Sequence, residues 1–307
     1  MSIYRYILKR VLMMLPVLLA VTIIVFSILH LVPGDPVYIA LGEMASEEAY
    51  DRMYSELGLD RPLVSQYFSF LGQLLRLDLG RSIIYREDVT KLLAAKLPNT
   101  LQLTATALLL SYLLAVPLGI LAAVKRNTII DYLSMGLAIA GVSVPSFWLG
   151  FLLISLFSVH LHWFPIAGYG GIKYLVLPAV TLGFGAAAQV ARMTRSSLLE
   201  VINQDYIQTA KAKGLRYGIV IIKHALKNAL IPIVTLLGLR IGWLIGGAVV
   251  IEIVFLRPGV GRMLVNAIYM RDFPVVQGVT LILAVTVILG NLLADILYAA
   301  INPKVHY

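Results

Sequence analysis

Long apolar runs, separated by short polar segments, dominate the pattern of this chain. A membrane-spanning helix needs about 20 mostly apolar residues, and this criterion predicts six spans. Their ranges are 11–30, 99–124, 132–157, 174–191, 229–253 and 276–300. One long polar segment, residues 31–98, follows the first span. The pattern therefore predicts an all-α polytopic membrane protein, with six transmembrane helices and a helical insertion after the first.

Composition supports the same class. The chain is 60% hydrophobic and 13% charged, whereas soluble domains are usually about 45–50% apolar and about 25% charged. It contains no cysteine, which excludes disulfides, thiolate metal sites and cysteine nucleophiles. The first apolar run, Val11–Leu29, is too long for a usual signal-peptide core, and no A-x-A-like site follows it. We therefore expect a retained span.

The distribution of basic residues predicts the orientation of the spans. Six spans place both termini on one side, and short cytoplasmic loops are enriched in Lys and Arg. One side would carry Arg5, Lys9, Arg10, Lys125, Arg126, Arg192, Arg195, Lys211, Lys213, Arg216, Lys223, Lys227 and Lys304. We therefore expect cytoplasmic termini and an extracytoplasmic 31–98 segment. The net charge of +9 is then a topology signal, and we expect no nucleic-acid partner.

Within the insertion, two helices are predicted. The first has Ser46 as its N-cap and ends at Gly58, and Pro62 opens the second. The second helix has an apolar face formed by Leu63, Tyr67, Phe70, Leu71 and Leu74. The sequence leaves open whether this face lies on the bilayer or on the spans.

Small and kinking residues lie inside the spans. Five spans contain an internal proline, which either permits a gating kink or reflects ordinary packing; these are Pro16, Pro117, Pro145, Pro178 and Pro232. Small residues spaced by four allow close helix contact, within the chain or with a second subunit. They are Gly238, Gly242 and Gly246 in the fifth span, and Gly183, Ala187 and Ala191 in the fourth.

Ionisable residues inside a membrane are candidates for function. Arg240 lies deep in the fifth span; it either pairs with an intramembrane polar group such as Gln189, contacts a second subunit, or lines a solute path. Glu252 and Asp295 are near span ends, where we expect them at the membrane–water interface. The predicted path or subunit-interface residues are Arg240, Gly238, Gly242, Gly246, Gln189 and Asn291.

Catalytic motifs are missing from the sequence. There is no G-x-x-x-x-G-K-[ST] loop, H-E-x-x-H or G-x-S-x-G. His160 and His162 adjoin Trp163, so we expect an interfacial aromatic belt there in preference to a metal site. The chain is therefore predicted to have no catalytic, cofactor-binding or metal-binding residues. Energy for uphill transport would come from an ion gradient or a partner.

A basic, polar segment separates the fourth and fifth spans. Asp205 is predicted to cap a short helix that ends at Gly214 in the left-handed conformation. A second helical run begins near Tyr217. Such a projecting helix is either a handle for a soluble partner or a basic loop on anionic lipid, and its residues alone leave both open.

This segment resembles the coupling loop of ABC importer permeases, with the pattern E-A-A-x-x-x-G. Gln208, Thr209, Ala210 and Gly214 occupy the E, A, A and G positions, so the glutamate is replaced. "TAKAKGL" and "KNALIPIV" resemble the dipeptide/oligopeptide/nickel branch. So do "HLVPGDP", "GLDRPLVSQY", "DLGRSI", "PNTLQL", "VPSFWLG", "WFPIAG", "RPGVGRMLVNAI" and "RDFPVVQG", in family order. The long outer loop is similar to that of the branch's first permease subunit.

The resemblance implies a type I ABC importer permease in the bacterial inner membrane. Its partners would be a second permease, two cytoplasmic ATPases that bind ATP and Mg, and an external solute-binding protein. Helices at 62–76 and 88–97 and the loop at 254–275 would face that binding protein. Residues coupling to the ATPase would be Asp205, Tyr206, Gln208, Thr209, Ala210, Lys211, Lys213 and Gly214.

The resemblance also implies a division of the chain and a cargo. The divisions would be 1–30 (N-terminus and first span), 31–98 (insertion) and 99–307 (core, with coupling loop 192–228). Dipeptides or oligopeptides are the expected cargo; nickel chelates, glutathione and sugars stay open. The alternative function is a secondary transporter or channel driven by an ion gradient.

Overall fold

The computed structural model describes residues 3–31, 36–41, 46–56 and 58–301. In this part of the chain the regular structure is helical, apart from one antiparallel bridge between Arg81 and Asp88. The helices are α1 Ile3–Leu31, α2 Pro36–Leu41, α3 Glu47–Glu56, α4 Leu63–Leu75, α5 Val89–Val124, α6 Ile129–Ser143, α7 Ser146–Leu153, α8 Lys173–Ile202, α9 Asp205–Ala212, α10 Tyr217–Ile219, α11 Leu226–Val254, α12 Val260–Tyr269 and α13 Phe273–Ile301. Short π-helices, Ile154–His160 and Val220–Ala225, continue α7 and α10.

Five helical segments in the described residues are long and apolar enough to cross a membrane. They are Arg10–Ser27, Val89–Val124, Lys173–Ile202, Tyr217–Leu237 and Phe273–Ile296. A sixth arises if Ile129–Ser143 and Ser146–His160, which are bent by 110°, form one broken span. The six predicted apolar runs are therefore helical, but the third is interrupted where Pro145 follows α6.

The second span differs from its prediction at its beginning. Helix α5 starts at Val89 and continues without interruption to Val124, so the helix expected at 88–97 is present as the first part of the second span. The physical reason is that hydropathy marks the apolar part of a helix only. Lys91 and Lys96 lower the hydropathy of the first turns, although both residues are compatible with a helix.

One compact unit comprises Met1–Lys9, Leu101–Arg257 and Val287–Tyr307. Its largest core includes Ala107 of α5, Leu182 of α8 and Leu244 of α11. A Cβ placed on Gly183 would lie 2.7 Å from the carbonyl oxygen of Ala107. The small-residue face predicted on α8 therefore makes a tight helix contact within the chain.

The second compact unit comprises Arg10–Thr100 and Pro258–Thr286. As predicted, the Ser46 hydroxyl caps α3, accepting a hydrogen bond from the Ala49 amide at 3.3 Å. Tyr67 and Phe70 on α4 pack against Phe26 on α1, with ring centroids 5.4 and 6.1 Å apart. This side of α4 therefore lies on the first span, which answers the question that the sequence left open.

A buried carboxylate organises one loop of the second unit. Asp272 is fully buried and accepts a short hydrogen bond from the Ser82 hydroxyl. Its oxygens also accept hydrogen bonds from the amides of Ile83 and Ile84, at 3.2 and 3.3 Å. The aspartate thus ties the loop before α5 to the turn before α13. This contact could not be predicted from the sequence because the partners are about 190 residues apart.

Candidate functional site

Helix α9 occupies the segment predicted to be a partner's handle. It runs from Asp205 to Ala212, and its N-cap is Gln204. The expected capping by Asp205 is therefore wrong: this residue already lies in the first helical turn, where an acidic side chain favours the helix dipole. Gly214 follows the helix with φ +77°, which confirms the left-handed stop predicted from the sequence.

The inner face of α9 is anchored in a hydrophobic core. Ile207 is fully buried and Ala210 is nearly so. They pack in a cluster with Leu198 of α8 and Ala229 of α11. Ala210 is therefore one of the residues that hold the helix, whereas the family resemblance implied that it couples to the ATPase.

The outer face of α9 is polar and open. Half-buried Lys211 lies between the two faces. The remaining predicted coupling residues are exposed, namely Asp205, Tyr206, Gln208, Thr209, Lys213 and Gly214. The helix therefore presents a compact polar surface on a rigid base.

Hydrogen bonds connect α9 and its neighbours. The Asn228 side chain of α11 donates to the Tyr206 hydroxyl at 2.7 Å, and the Gln208 side chain donates to the Ile202 carbonyl at 3.2 Å. Helices α8 and α11 are joined by the Ser197 hydroxyl, which donates to the Ala229 carbonyl at 2.9 Å. Helix α9 is thus linked by side-chain hydrogen bonds to both long helices.

A buried ion pair joins α8 to α6. Arg195 donates through Nε and Nη2 to the two carboxylate oxygens of Asp131, at 2.6 and 2.7 Å. The Asn127 amide also donates to Asp131, at 3.0 Å. From the sequence, Arg195 was interpreted only as a topology signal. The separation of the two charges by 64 positions leaves no local spacing from which to predict the pair.

The break between α6 and α7 borders a cavity of about 220 Å³. Three structural features form its wall: the break itself, helix α8 and one residue of α11. The lining residues are Gly141, Val142, Val144, Pro145, Ser146, Leu149, Thr181, Phe184, Gly185, Gln189 and Trp243. Of the predicted path residues, the structure places Gln189 here.

Arg240 lies next to this wall. Its guanidinium is stacked over the Trp243 ring at 5.9 Å from the centroid. Its Nε is buried and has no hydrogen-bond partner among the described residues. Arg240 is therefore associated with Trp243, and no hydrogen bond from its Nε to Gln189 is found there.

The predicted glycine face of α11 divides into different environments. A Cβ on Gly242 would lie 3.1 Å from Val287 and 3.9 Å from Asn291 on α13, so this glycine allows contact within the chain. Gly246 faces open space. The surroundings of Gly238 lie outside the described residues.

Glu252 is fully buried among the helices, and its depth near the membrane–water interface stays a prediction. Arg257, also buried, donates to the Gln102 side chain at 2.8 Å and lies over Tyr169 at 5.1 Å. Burial lowers the pKa of Arg257, while the charges of Tyr169 and Glu252 act in the opposite direction. Position along a helix did not reveal which way Glu252 faces.

Comparison with known proteins identifies the architecture. Residues 115–307 match the family of binding-protein-dependent transport system inner membrane components. Residues 3–104 match the N-terminal family of the same membrane components. The chain belongs to this family.

Relatives and solved structures agree with this assignment. The chain is 44% identical over 303 residues to the glutathione transport system permease protein GsiC of Pectobacterium atrosepticum, covering 99% of both chains. It is 42% identical to GsiC of Escherichia coli K12, also over 99% of both. The MetNI methionine ABC transporter has the same fold, with a TM-score of 0.59 at 24% identity, over 69% of this chain and 96% of that one. An amino acid ABC transporter has a TM-score of 0.54 at 16% identity, over 69% of this chain and 94% of that one.

The family member described here is thus an ABC importer permease of the peptide/nickel branch. It has the type I importer permease fold and is a multi-pass membrane protein. The family is one of transport permeases and not of enzymes. This result replaces the alternative of a secondary transporter or channel.

Proposed function

We propose that this chain is the pore-forming permease subunit of an ATP-driven importer of short peptides, glutathione included. Helix α9 couples it to a cytoplasmic ATPase. The coupling role is supported by the way in which α9 packs. Ile207 is fully buried in the core, while Gln208 and Thr209 beside it are exposed. A helix held this way can receive a push on its polar face and pass it to α8 and α11.

The complex would contain two permeases, two ATPases and an external solute-binding protein. ATP and Mg would be bound by the ATPases, and the permease itself would hold neither. Both termini would lie in the cytoplasm, with α9 on the same side. The exposed polar face of α9, including Lys213 and Asp205, suits a groove on a soluble partner.

The cargo proposal rests on chemistry that two lines of support share. The resemblance of the sequence favours dipeptides or oligopeptides, and the relatives are named for glutathione transport. Glutathione is itself a tripeptide. Short peptides are therefore the class common to both, and glutathione is the first member to test.

Uptake into proteoliposomes tests this function. The permease, purified with its partner chains, is reconstituted with binding protein outside and ATP inside, and labelled glutathione and a dipeptide are supplied. We expect uptake of one or both that requires ATP and binding protein and persists when an uncoupler collapses the proton gradient. Uptake that follows an imposed ion gradient and ignores ATP would contradict the proposal.

A further inference from the structure

We infer that the cavity at the α6–α7 break is a solute-binding site that recognises peptide amide groups. The inference rests on the proposed function, because it names where a peptide cargo would contact this chain. The cavity lies within one compact unit and is lined by α6, α7, α8 and α11.

The break removes the usual hydrogen-bond donor from one backbone carbonyl. The carbonyl of Gly141 would normally accept from the amide four residues later, but that residue is Pro145, which has no N–H. The Val144 amide donates to the Ala140 carbonyl at 2.9 Å, so it does not replace the missing donor. The Gly141 oxygen is therefore left with acceptor capacity beside the cavity.

A glycine on the facing helix keeps this oxygen accessible. A Cβ on Gly185 would lie 3.4 Å from the Gly141 oxygen and 3.4 Å from the Trp243 ring. The distance is an ordinary van der Waals contact, so packing does not forbid a side chain there. A larger side chain would nevertheless occupy the cavity. Glycine at 185 thus leaves space between α6, α8 and α11.

The remaining polar groups of the wall are neutral. Ser146 and Thr181 contribute hydroxyls and Gln189 an amide, while the Trp243 ring approaches Gly185 with its Cη2 edge. No ionisable side chain is present among the described residues that line the cavity, and Arg240 lies behind the Trp243 ring. An ammonium group would be poorly stabilised at this place, whereas a peptide bond offers one donor and one acceptor. The wall therefore matches the amide units of a peptide better than its ammonium end.

The size of the cavity supports partial contact with the cargo. At about 220 Å³ it is smaller than typical sites for whole ligands, which are roughly 300–1,000 Å³. It is large enough for several water molecules, which the polar groups of its wall can hold when no solute is bound. An amide unit would displace that water as the peptide passes.

The position on α8 connects the site to the coupling helix. Thr181, Gly185 and Gln189 are on α8, the helix that ends directly before α9 and carries Arg195 of the ion pair. A displacement of α9 would therefore reach the cavity wall formed by α8 and, through the Arg195–Asp131 pair, also α6. This arrangement gives a site whose shape depends on the ATPase state.

Two variants and a control test the site in the reconstituted complex. Gly185→Leu fills the cavity; Gly136→Leu places the same side chain on α6, at an exposed glycine with open surroundings. Uptake is measured for a dipeptide, glutathione and a pentapeptide at saturating binding protein. We expect Gly185→Leu to reduce glutathione and pentapeptide uptake at least tenfold and dipeptide uptake less, with Gly136→Leu close to wild type. An identical size profile for the two leucine variants overturns the inference.

Gln189→Met provides a second readout that is independent of cavity filling. Uptake of a peptide is compared with uptake of the same peptide methylated on its amide nitrogen, and the ratio is taken for wild type and variant with the same binding protein. We expect the preference for the unmethylated peptide to fall at least threefold in Gln189→Met. An unchanged ratio, in a complex that retains its ATPase activity, overturns amide recognition. Absence of any ATP-driven peptide uptake by wild type would instead overturn the proposed function, and this inference with it.

Discussion

Replacement of Gly214 by valine tests whether the end of α9 must hold its left-handed turn. Gly214 has φ +77°, and a Cβ there would meet nothing within 4 Å. The cost of a side chain is therefore conformational and not steric. A non-glycine residue in this conformation loses about 1–2 kcal/mol, and a β-branched residue fits it least well.

A cost of this size substantially changes the populations of two local conformations. About 1–2 kcal/mol changes the ratio of two conformations by a factor of roughly 5–30. Since Gly214 is exposed and lies outside the hydrophobic clusters, we expect the loss to fall on the geometry of α9 while the core stays intact. Asparagine tolerates the left-handed region, so the predicted order of coupling is Gly, then Asn, then Ala, then Val.

The assay is the number of solute molecules transported per ATP hydrolysed in proteoliposomes. We expect Gly214→Val to lower this ratio at least fivefold while protein yield and complex recovery stay near wild type. Gly218→Val is the matched control, because Gly218 lies in α10 and also has open surroundings. A transport ratio for Gly214→Val equal to that of Gly218→Val would refute the reasoning.

Three further predictions concern the contacts around the site. Asp131→Asn should lose most coupled uptake, because it leaves the partly buried Arg195 without its charged partner. The exchanged pair Asp131→Arg/Arg195→Asp should recover part of that uptake. If Asp131→Asn caused no loss, or if the exchanged pair gave no recovery, a transmitting role would be contradicted. Ile207→Ala should cost about 2–5 kcal/mol of local packing and release α9 from the core. The backbone amides of α9 should then exchange hydrogen faster. Unchanged exchange would argue against Ile207 as the anchor of α9. Asp272→Ala should remove the acceptor for the Ile84 amide and accelerate the hydrogen exchange of that amide. Full protection of the amide from exchange would show that the loop keeps its conformation without Asp272.

The features predicted well from the sequence are those that depend on neighbouring residues. The stop at Gly214 follows from glycine's access to the left-handed region, and the cap at Ser46 from a hydroxyl three residues before an amide. Apolar runs also located the spans, because hydropathy is a local sum. The first turns of α5 escaped this criterion, since Lys91 and Lys96 are polar but helical.

The features that were missed depend on contacts between distant residues. Neither the pairing of Asp131 with Arg195 nor that of Asp272 with Ser82 leaves a spacing pattern in the chain. The burial of Glu252 was not predicted for the same reason, because it depends on which helices surround the residue. Pro145 was recognised as a possible kink, but the cavity beside it requires Gly185 and Gln189 from another helix.

Site-specific crosslinking tests the central claim that α9 engages an ATPase. The chain contains no cysteine, so Gln208→Cys introduces a single thiol on the exposed face of α9, and Tyr85→Cys places one on the loop tied by Asp272, on the predicted outer side. After treatment of native membranes with a short thiol-directed photocrosslinker, we predict a covalent product between the Gln208→Cys permease and a P-loop ATPase, and none from Tyr85→Cys. An intact, transport-competent complex that gives no ATPase product from Gln208→Cys, or gives one from Tyr85→Cys, would contradict the account.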